Sequence, residues 1–460
     1  MEADKQNKDD SNREVKPVTD TDLETASPVQ NRSKNAIEPP KHWLRNYAPM
    51  FIGQIFSMLG SAVVQFALIW HLTEKTGSVA VLATASMVGL LPQVILGPFA
   101  GALVDRWNRK ITMVVADLIV TLATIALMLL FALNLVQLWH IYVALFIRAV
   151  SGIFQGPAMS ASTTLMVPKE HYARLGGFNQ ALGGIINIIS PPLGALLLAI
   201  WPFQNVLAVD VVTAAVGILL LLFLVKVPQP LRKDVQDVIS PKVLWQDVSS
   251  AFRYMRGWPG MFTLTIMAAT INFAFAPTGT LLPLMITKNF GGGATQLASV
   301  EAAMGIGIVV GGLLLGVWGG FKRRIFTSIA GIIVQGLSIF GMGLTPSHLL
   351  PVLIGFSGIM GFSLAFANGP LGAIFQAKIP PEMQGRAFMM SNSLCLLAMP
   401  VGIILAAPIA DNFGVGVAFV FAGVVAVSVG IYGLLKREVN TLDLQEPGGK
   451  IVAAELELAE

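Results

Sequence analysis

Apolar residues in this chain fall in long blocks separated by short polar stretches, without the strict alternation of a half-buried strand. Twelve such blocks are recognisable, at 48–72, 79–103, 111–133, 138–160, 175–200 and 206–225, then at 261–286, 297–319, 325–344, 350–375, 388–410 and 415–435. A helix needs about 20 apolar residues to cross the hydrocarbon core of a bilayer, and each block is of that order. The pattern predicts an all-α polytopic membrane protein with twelve transmembrane helices. Prolines inside the blocks, among them Pro92, Pro157, Pro191, Pro192, Pro277, Pro370 and Pro400, would break soluble helices. In a membrane bundle, neighbouring helices or cavity water can satisfy the freed backbone groups.

Motifs recur along the chain. Pro168-x-Glu170-x-x-x-Arg174 follows the fourth block, and Pro380-x-Glu382-x-x-x-Arg386 follows the tenth, 212 residues later. Gly156-Pro157 recurs as Gly369-Pro370, and Arg109-Lys110-Ile111 as Arg323-Arg324-Ile325, at nearly the same offset. This repetition predicts two six-helix pseudo-repeat halves, 43–226 and 260–436, with a central cavity near the membrane midplane. Residues 227–259 form a middle loop in which 241–256 has helical apolar spacing and predicts a surface helix. Residues 1–42 are polar, lack the apolar core of a signal peptide, and read as a disordered tail; 437–460 form a second tail.

Charge sets the expected orientation. Of 30 Lys and Arg, only Lys75 and Lys288 fall in the connections on one side, and Arg148 falls inside a block. The remainder lie on the other side, which the positive-inside rule makes cytoplasmic, together with both termini. Charged residues are only 12% of the chain, mean hydropathy is +0.70, and the net charge is +4. Cys395 is the single cysteine, so disulfides and cysteine metal sites are not available. The five histidines are scattered, and no nucleophile motif, phosphate loop or helical metal-ligand pair is present. The expectation is a non-enzyme in the cytoplasmic membrane with no cofactor, no metal and no nucleic-acid partner.

The densest charge cluster sits in the shortest connection, Gly101-x-Leu103-x-Asp105-Arg106-x-x-Arg109-Lys110. Arg106, Arg109 and Lys110 follow from the positive-inside rule, whereas Gly101 and Asp105 do not. This order resembles the loop 2–3 signature of the major facilitator superfamily. The resemblance implies a gating motif in which Asp105 docks on the start of the eleventh helix, near 386–390. Asn108 stands where that family often has glycine, and Asn tolerates the left-handed turn such a loop would need.

Ionisable groups at membrane depth are functional candidates by default. Arg148 lies about ten residues into the fourth block and suits a coupling or cavity role, or that of a structural arginine bonding backbone carbonyls; Gly152 and Gly156, four apart, form a helix-packing pattern, and with them Arg148 also resembles the arginine signature of the superfamily's drug antiporters. Asp117 lies two turns into the third block and suits either proton coupling or a gate salt bridge. Glu301 and Asp210 open their blocks near the outer face. Glu301 is a proton acceptor or a solvated helix start, and for Asp210 the solvated helix start is the favoured reading. Gln54, Gln65, Gln180, Asn187, Asn272, Gln335, Asn368 and Asn392 are cavity candidates, with interhelical hydrogen bonding as the competing account. Isolated polar groups amid Met, Phe and Trp suit bulky amphipathic ligands bound by apolar area.

Further segments resemble macrolide-efflux-type exporters: 72–78, Phe146-Ile147-Arg148, Ser190-Pro191-Pro192, 311–316 and 398–402 with Asp411 beyond. The resemblance covers 43–440 and implies proton-coupled export of hydrophobic or amphipathic drugs such as macrolides by a monomer surrounded by membrane lipids. In the fifth block, Ser190-Pro191-Pro192-Leu193-Gly194-Ala195 departs from that family's antiporter signature, Gly-Pro-x-x-Gly-Gly, keeping the kink and altering the small-residue surface. The alternatives are export of a lipid, lysophospholipid or siderophore, and a non-transporting membrane sensor.

Overall fold

The computed structural model describes residues 43–168, 171–227, 256–378 and 381–442, without the side chains of 98–99, 101–102, 105–106, 164, 172–174, 176–181, 373 and 375–390. The first tail, most of the second, and all but the last residue of the expected surface helix lie outside the described residues. Twelve helices are long and apolar enough to cross a membrane. They are α1 Trp43–Thr76, α2 Val79–Arg106, α3 Arg109–Ala132, α4 Leu138–Met166, α5 Tyr172–Ile200 and α6 Phe203–Leu224. The second set comprises α7 Pro259–Leu284, α8 Ala294–Trp318, α9 Arg324–Leu344, α10 Leu350–Lys378, α11 Pro381–Phe413 and α12 Val415–Leu435. Helix α7 continues through one π-helical turn, Met285–Asn289, and a short helix α13, Arg437–Asn440, follows α12.

Local chemistry sets the ends. Ser78 caps α2, its hydroxyl accepting from the Val81 N–H. Asn108 is extended (φ −69°, ψ 109°) and caps α3 by accepting from the Ile111 N–H at 3.2 Å. The left-handed turn expected at Asn108 is therefore absent: its amide serves the free N–H groups of the next helix, as an N-cap does. The Gln296 side chain, accepting from the Gly293 N–H at 2.8 Å, starts α8 at Ala294, earlier than the sequence blocks suggested. Pro202 likewise starts α6 at Phe203.

The duplication is visible in the packing. In the first half α1 packs on α5 and α6, α2 on α4, and α3 on α4 and α6. In the second half α7 packs on α11 and α12, α8 on α10, and α9 on α10 and α12. Every pair recurs six helices later. The halves meet along two equivalent seams, α5 with α8 and α11 with α2. Helices α4 and α10, which carry Pro157 and Pro370, have the same length of 29 residues.

The two ends of the bundle differ. At the end carrying the α1–α2 and α7–α8 connections, one apolar core runs across both halves, from Leu68, Trp70, Leu82 and Leu145 to Leu284, Leu297 and Phe419. Ser86 of α2 and Thr280 of α7 share a hydrogen bond there at 3.0 Å. At the other end, among the described residues, the cores stay within their halves. Tyr47, Met113 and Leu221 belong to one, and Trp258, Met261 and Ile329 to the other.

Candidate functional site

The polar side chains of the first half are stacked in two layers, each built by α1, α3 and α4. Ser57 and Ser61 are one turn apart on α1, Asp117 and Thr124 two turns apart on α3, and Arg148 and Gln155 two turns apart on α4. All therefore face the same interior. At about 1.5 Å per residue, two turns separate the layers by about 10 Å.

The layer nearer the joined end centres on Arg148. Its guanidinium pairs with Asp210 Oδ2 of α6 at 2.5 Å, donates to the Ser61 carbonyl at 2.9 Å and reaches Thr124 Oγ1 at 3.4 Å. Asp210 also accepts from Thr124 at 2.9 Å and from Ser61 Oγ at 2.8 Å. Asp210 is fully buried at 0% exposure. This corrects the solvated helix start expected for it: α6 begins two turns earlier, and Asp210 lies against α1. Gly60 makes that approach possible, since a Cβ there would overlap the Thr213 hydroxyl and touch the Asp210 backbone.

The second layer centres on Asp117, which is 6% exposed. Its Oδ1 accepts from Ser57 Oγ at 3.1 Å and from Gln155 Nε2 at 2.7 Å. Among the described residues Asp117 has no cationic partner, because Arg148 is committed to Asp210 in the other layer. Arg148 and Asp117 therefore do not pair with each other. Gly152 and Gly156, read as a helix-packing surface, have no described neighbour within 4 Å of an added Cβ.

Around the short α2–α3 connection the basic residues serve helix ends. Arg109 Nη1 donates to the Ala161 carbonyl at 2.8 Å. Lys110 Nζ donates to the carbonyls of Leu222 and Val225, at 3.0 and 2.8 Å, closing the C-terminal end of α6. The side chains of Asp105, Arg106 and Gln180, the surroundings of Gly101 and the docking segment 386–390 lie outside the described residues.

Glu301 is half-buried, two turns into α8 instead of at its start. Gln54 is 9% and Gln335 2% exposed. Gln335 is therefore sealed between helices, which corrects its assignment to a cavity wall. Asn272 bonds the Ala268 carbonyl of its own helix at 2.9 Å. Gln65, Asn187, Asn368 and Asn392 are exposed on the protein surface or toward the space between helices. Sequence reasoning passed over Ser57, Ser61, Thr124 and Gln155. The signal for them was spacing, because each stands four or seven residues from another polar residue on its helix.

At the joined end lies a cavity of about 830 Å³, lined among others by Trp70, His71, Phe131, Leu198, Trp201 and Ala294. No group of His, Cys, Asp and Glu suited to a metal ion occurs among the described residues.

Twelve spans, paired helix by helix across two halves and enclosing buried charge, define a duplicated polytopic membrane protein with the architecture of secondary transporters. The chain belongs to the Major Facilitator Superfamily, whose family pattern matches residues 50–284 and 264–457. It is 34% identical over 409 residues to Macrolide efflux protein A of Streptococcus pyogenes, covering 89% of this chain and 100% of that protein. It is also 34% identical over 324 residues to Macrolide efflux protein A of Enterococcus faecalis, covering 70% of this chain and 99% of the relative. A solved bacterial homologue of the human lysosomal transporter Spinster superimposes with a TM-score of 0.64 at 14% identity, covering 88% and 97% of the two chains. At that identity the likeness concerns the fold.

Proposed function

We propose that this protein exports hydrophobic or amphipathic drugs, macrolides among them, across the cytoplasmic membrane, driven by the proton gradient. The observation that carries the reading is the identity to Macrolide efflux protein A along nearly the whole chain. Both termini are taken as cytoplasmic, in keeping with the distribution of Lys and Arg.

Proton coupling needs a carboxylate whose surroundings change between the two states. Asp117 suits this role, being buried and held by the neutral donors Ser57 and Gln155. Losing or gaining a proton there strands no partner cation. Arg148, bound to Asp210, holds α1, α3, α4 and α6 together and keeps the adjacent layer polar. Glu301 is the second coupling candidate. Gly101, Asp105, Arg106, Arg109 and Lys110 form the gate, with Asp105 contributing a helix-terminus contact worth about 0.3–1 kcal/mol.

The test is drug accumulation in efflux-deficient cells expressing the protein, with and without a protonophore. Accumulation should fall on expression and recover when the gradient is collapsed. Unchanged accumulation across a broad panel that includes macrolides would overturn the reading.

A further inference from the structure

The joined end is closed by apolar packing, yet it retains a cavity of about 830 Å³. Its walls are the ends of α1 and α3, the starts of α4 and α6, part of α5, and the start of α8 from the other half. Sites for drug-sized molecules span about 300–1,000 Å³. The duplication shows that this space is not forced by the fold. Leu284, Met285 and Ile286 stand 214 residues after Trp70, His71 and Leu72, the offset of the Arg109 and Arg323 repeat. All three are 0% exposed, whereas His71 is half-buried on the cavity wall.

Part of the wall is aromatic. The rings of His71, Phe131 and Phe203 close a triangle with centroids 5.0, 4.5 and 4.5 Å apart. They come from three different helix ends, and Pro202 fixes the last of them by starting α6 at Phe203.

The polar part of the wall is rich in carboxamides. Asn134 (φ 57°) is the one residue other than glycine in left-handed backbone among the described residues. Asn accepts that conformation where most side chains do not. It turns the chain out of α3, with the Leu135 N–H donating to the Leu130 carbonyl at 2.9 Å. Gln137 is held by the Trp139 indole, which donates to its Oε1 at 2.9 Å. Gln204 of α6 adds a third carboxamide, and each such group both donates and accepts. Glu74 and Lys75 also border the cavity, adjacent in the chain and opposite in sign, so their fields largely cancel. An aromatic wall beside carboxamides, with no net charge, suits a flat, uncharged ring system whose edge carries hydrogen-bonding groups.

The cavity also straddles the seam between the halves, since Ala195 and Leu198 of α5 share its wall with Ala294 and Thr295 of α8. An occupant that touches both keeps all its contacts only while the halves stay joined at this end. Alternating access requires this end to part. A ligand that binds one state better shifts the population toward that state.

We infer that this cavity is a second binding site, entered from outside and separate from the transport path. There a neutral, planar aromatic molecule with a hydrogen-bonding edge holds the outer end shut and inhibits export. The inference rests on the exporter reading and on the orientation given by the distribution of Lys and Arg.

The test uses riboflavin, a neutral, water-soluble molecule of this class whose fluorescence is quenched when its ring stacks on aromatic side chains. Binding is read with the full chain in nanodiscs, where the parent protein should quench it. Transport is read as macrolide uptake into everted membrane vesicles, whose lumen corresponds to the outside. Saturating riboflavin in the lumen should slow uptake about fivefold or more, and the same concentration in the bath should change it less than about twofold. Ala199→Trp, which fills the cavity from its exposed edge, should weaken riboflavin binding about tenfold or more by steric exclusion. Gln204→Leu, which removes a carboxamide at similar size, should weaken it by about threefold to tenfold. Equal inhibition from both sides, or inhibition from the bath alone, would place riboflavin in the transport path and overturn the inference. Absence of quenching by the parent, or undiminished binding in both variants, would overturn it as well. If the vesicles take up no macrolide, the exporter reading fails and the inhibitory role with it; binding in nanodiscs that both variants weaken would still establish the site.

Discussion

In the first half, α1, α3, α4 and α6 are tied by side chains, with Arg148, Asp210, Ser61 and Thr124 in one layer and Asp117, Ser57 and Gln155 in the other. In the second half the equivalent helices α9, α10 and α12 touch backbone to backbone, at Gly331 with Ala367, Gly336 with Val427 and Gly423 with Phe340, and α8 and α11 meet their neighbours in the same way. Gly307 lies against Gly358 and Phe362, Gly361 against Met304, and Gly402 against Phe273. Both arrangements answer the same physical problem. Lipid is as apolar as the helix surfaces, so burying leucine drives association little, and helices adhere through close van der Waals packing or through polar bonds. After duplication, one copy kept polar groups in its interior and the other packs through small residues. A half held by bonds that can be broken and remade, or protonated, can carry chemistry. A half held by backbone contact can serve as the frame it moves against.

The largest effect should follow from breaking the frame. Gly307→Leu places a side chain where the Gly358 carbonyl already is, and no rotamer avoids that backbone. Little folded, monodisperse protein should be recovered, as judged by size-exclusion chromatography in detergent. Normal yield and elution would mean that α8 and α10 are not in the contact described here.

Next comes the ion pair. Asp210→Ala leaves Arg148 buried without its partner, and breaking a buried pair in this way costs about 3–5 kcal/mol. The thermal midpoint should fall clearly, and replacing both residues (Arg148→Met with Asp210→Leu) should restore part of the loss. A double variant as unstable as the single one would show that the pair contributes more than charge balance.

Asp117→Asn should have a smaller effect on stability and a larger one on function. Asparagine can still accept from Ser57, so the midpoint should move by about 1 kcal/mol or less. Efflux of a macrolide should lose its dependence on the proton gradient while binding persists. If gradient-driven efflux matches the parent, Asp117 is an interhelical bonding residue only.

The smallest effect is expected at Lys110. Lys110→Ala removes a cation from the C-terminal end of α6 and should destabilise by about 0.3–1 kcal/mol, with transport lowered only modestly. Complete loss of transport at unchanged stability would show that Lys110 acts in the gate beyond holding the end of α6.

The twelve spans and the duplication were legible in the sequence because a membrane span must be continuous and apolar, and because the repeats kept their spacing. The ends were less legible. The early starts of α6 and α8 depend on Pro202 and Gln296, single residues with weak local signals. The site was readable only in part. Arg148 and Asp117 stood out as charges at depth, but which acid pairs with Arg148 is set by how α6 lies on α1. That in turn depends on Gly60 and Thr213, and spacing along one helix cannot report a contact between two. Asp210 was misjudged because its depth was counted from a block that began too late. Gln335 was misjudged because a carboxamide in an apolar run carries no sign of which neighbour covers it.

The hydrogen bond between Ser86 and Thr280 has a mechanical meaning when set against the interior of either half. A neutral hydrogen bond of this kind between membrane helices is worth about 0.6–2 kcal/mol, only one to a few times the thermal energy. Shearing α1 past α4 would break both polar layers together, and separating α8 from α10 would undo a backbone contact. Stiffness is thus higher within each half than between the halves. A load applied to the molecule is relieved where the spring is softest, so each half would turn as one lever about the seam between them.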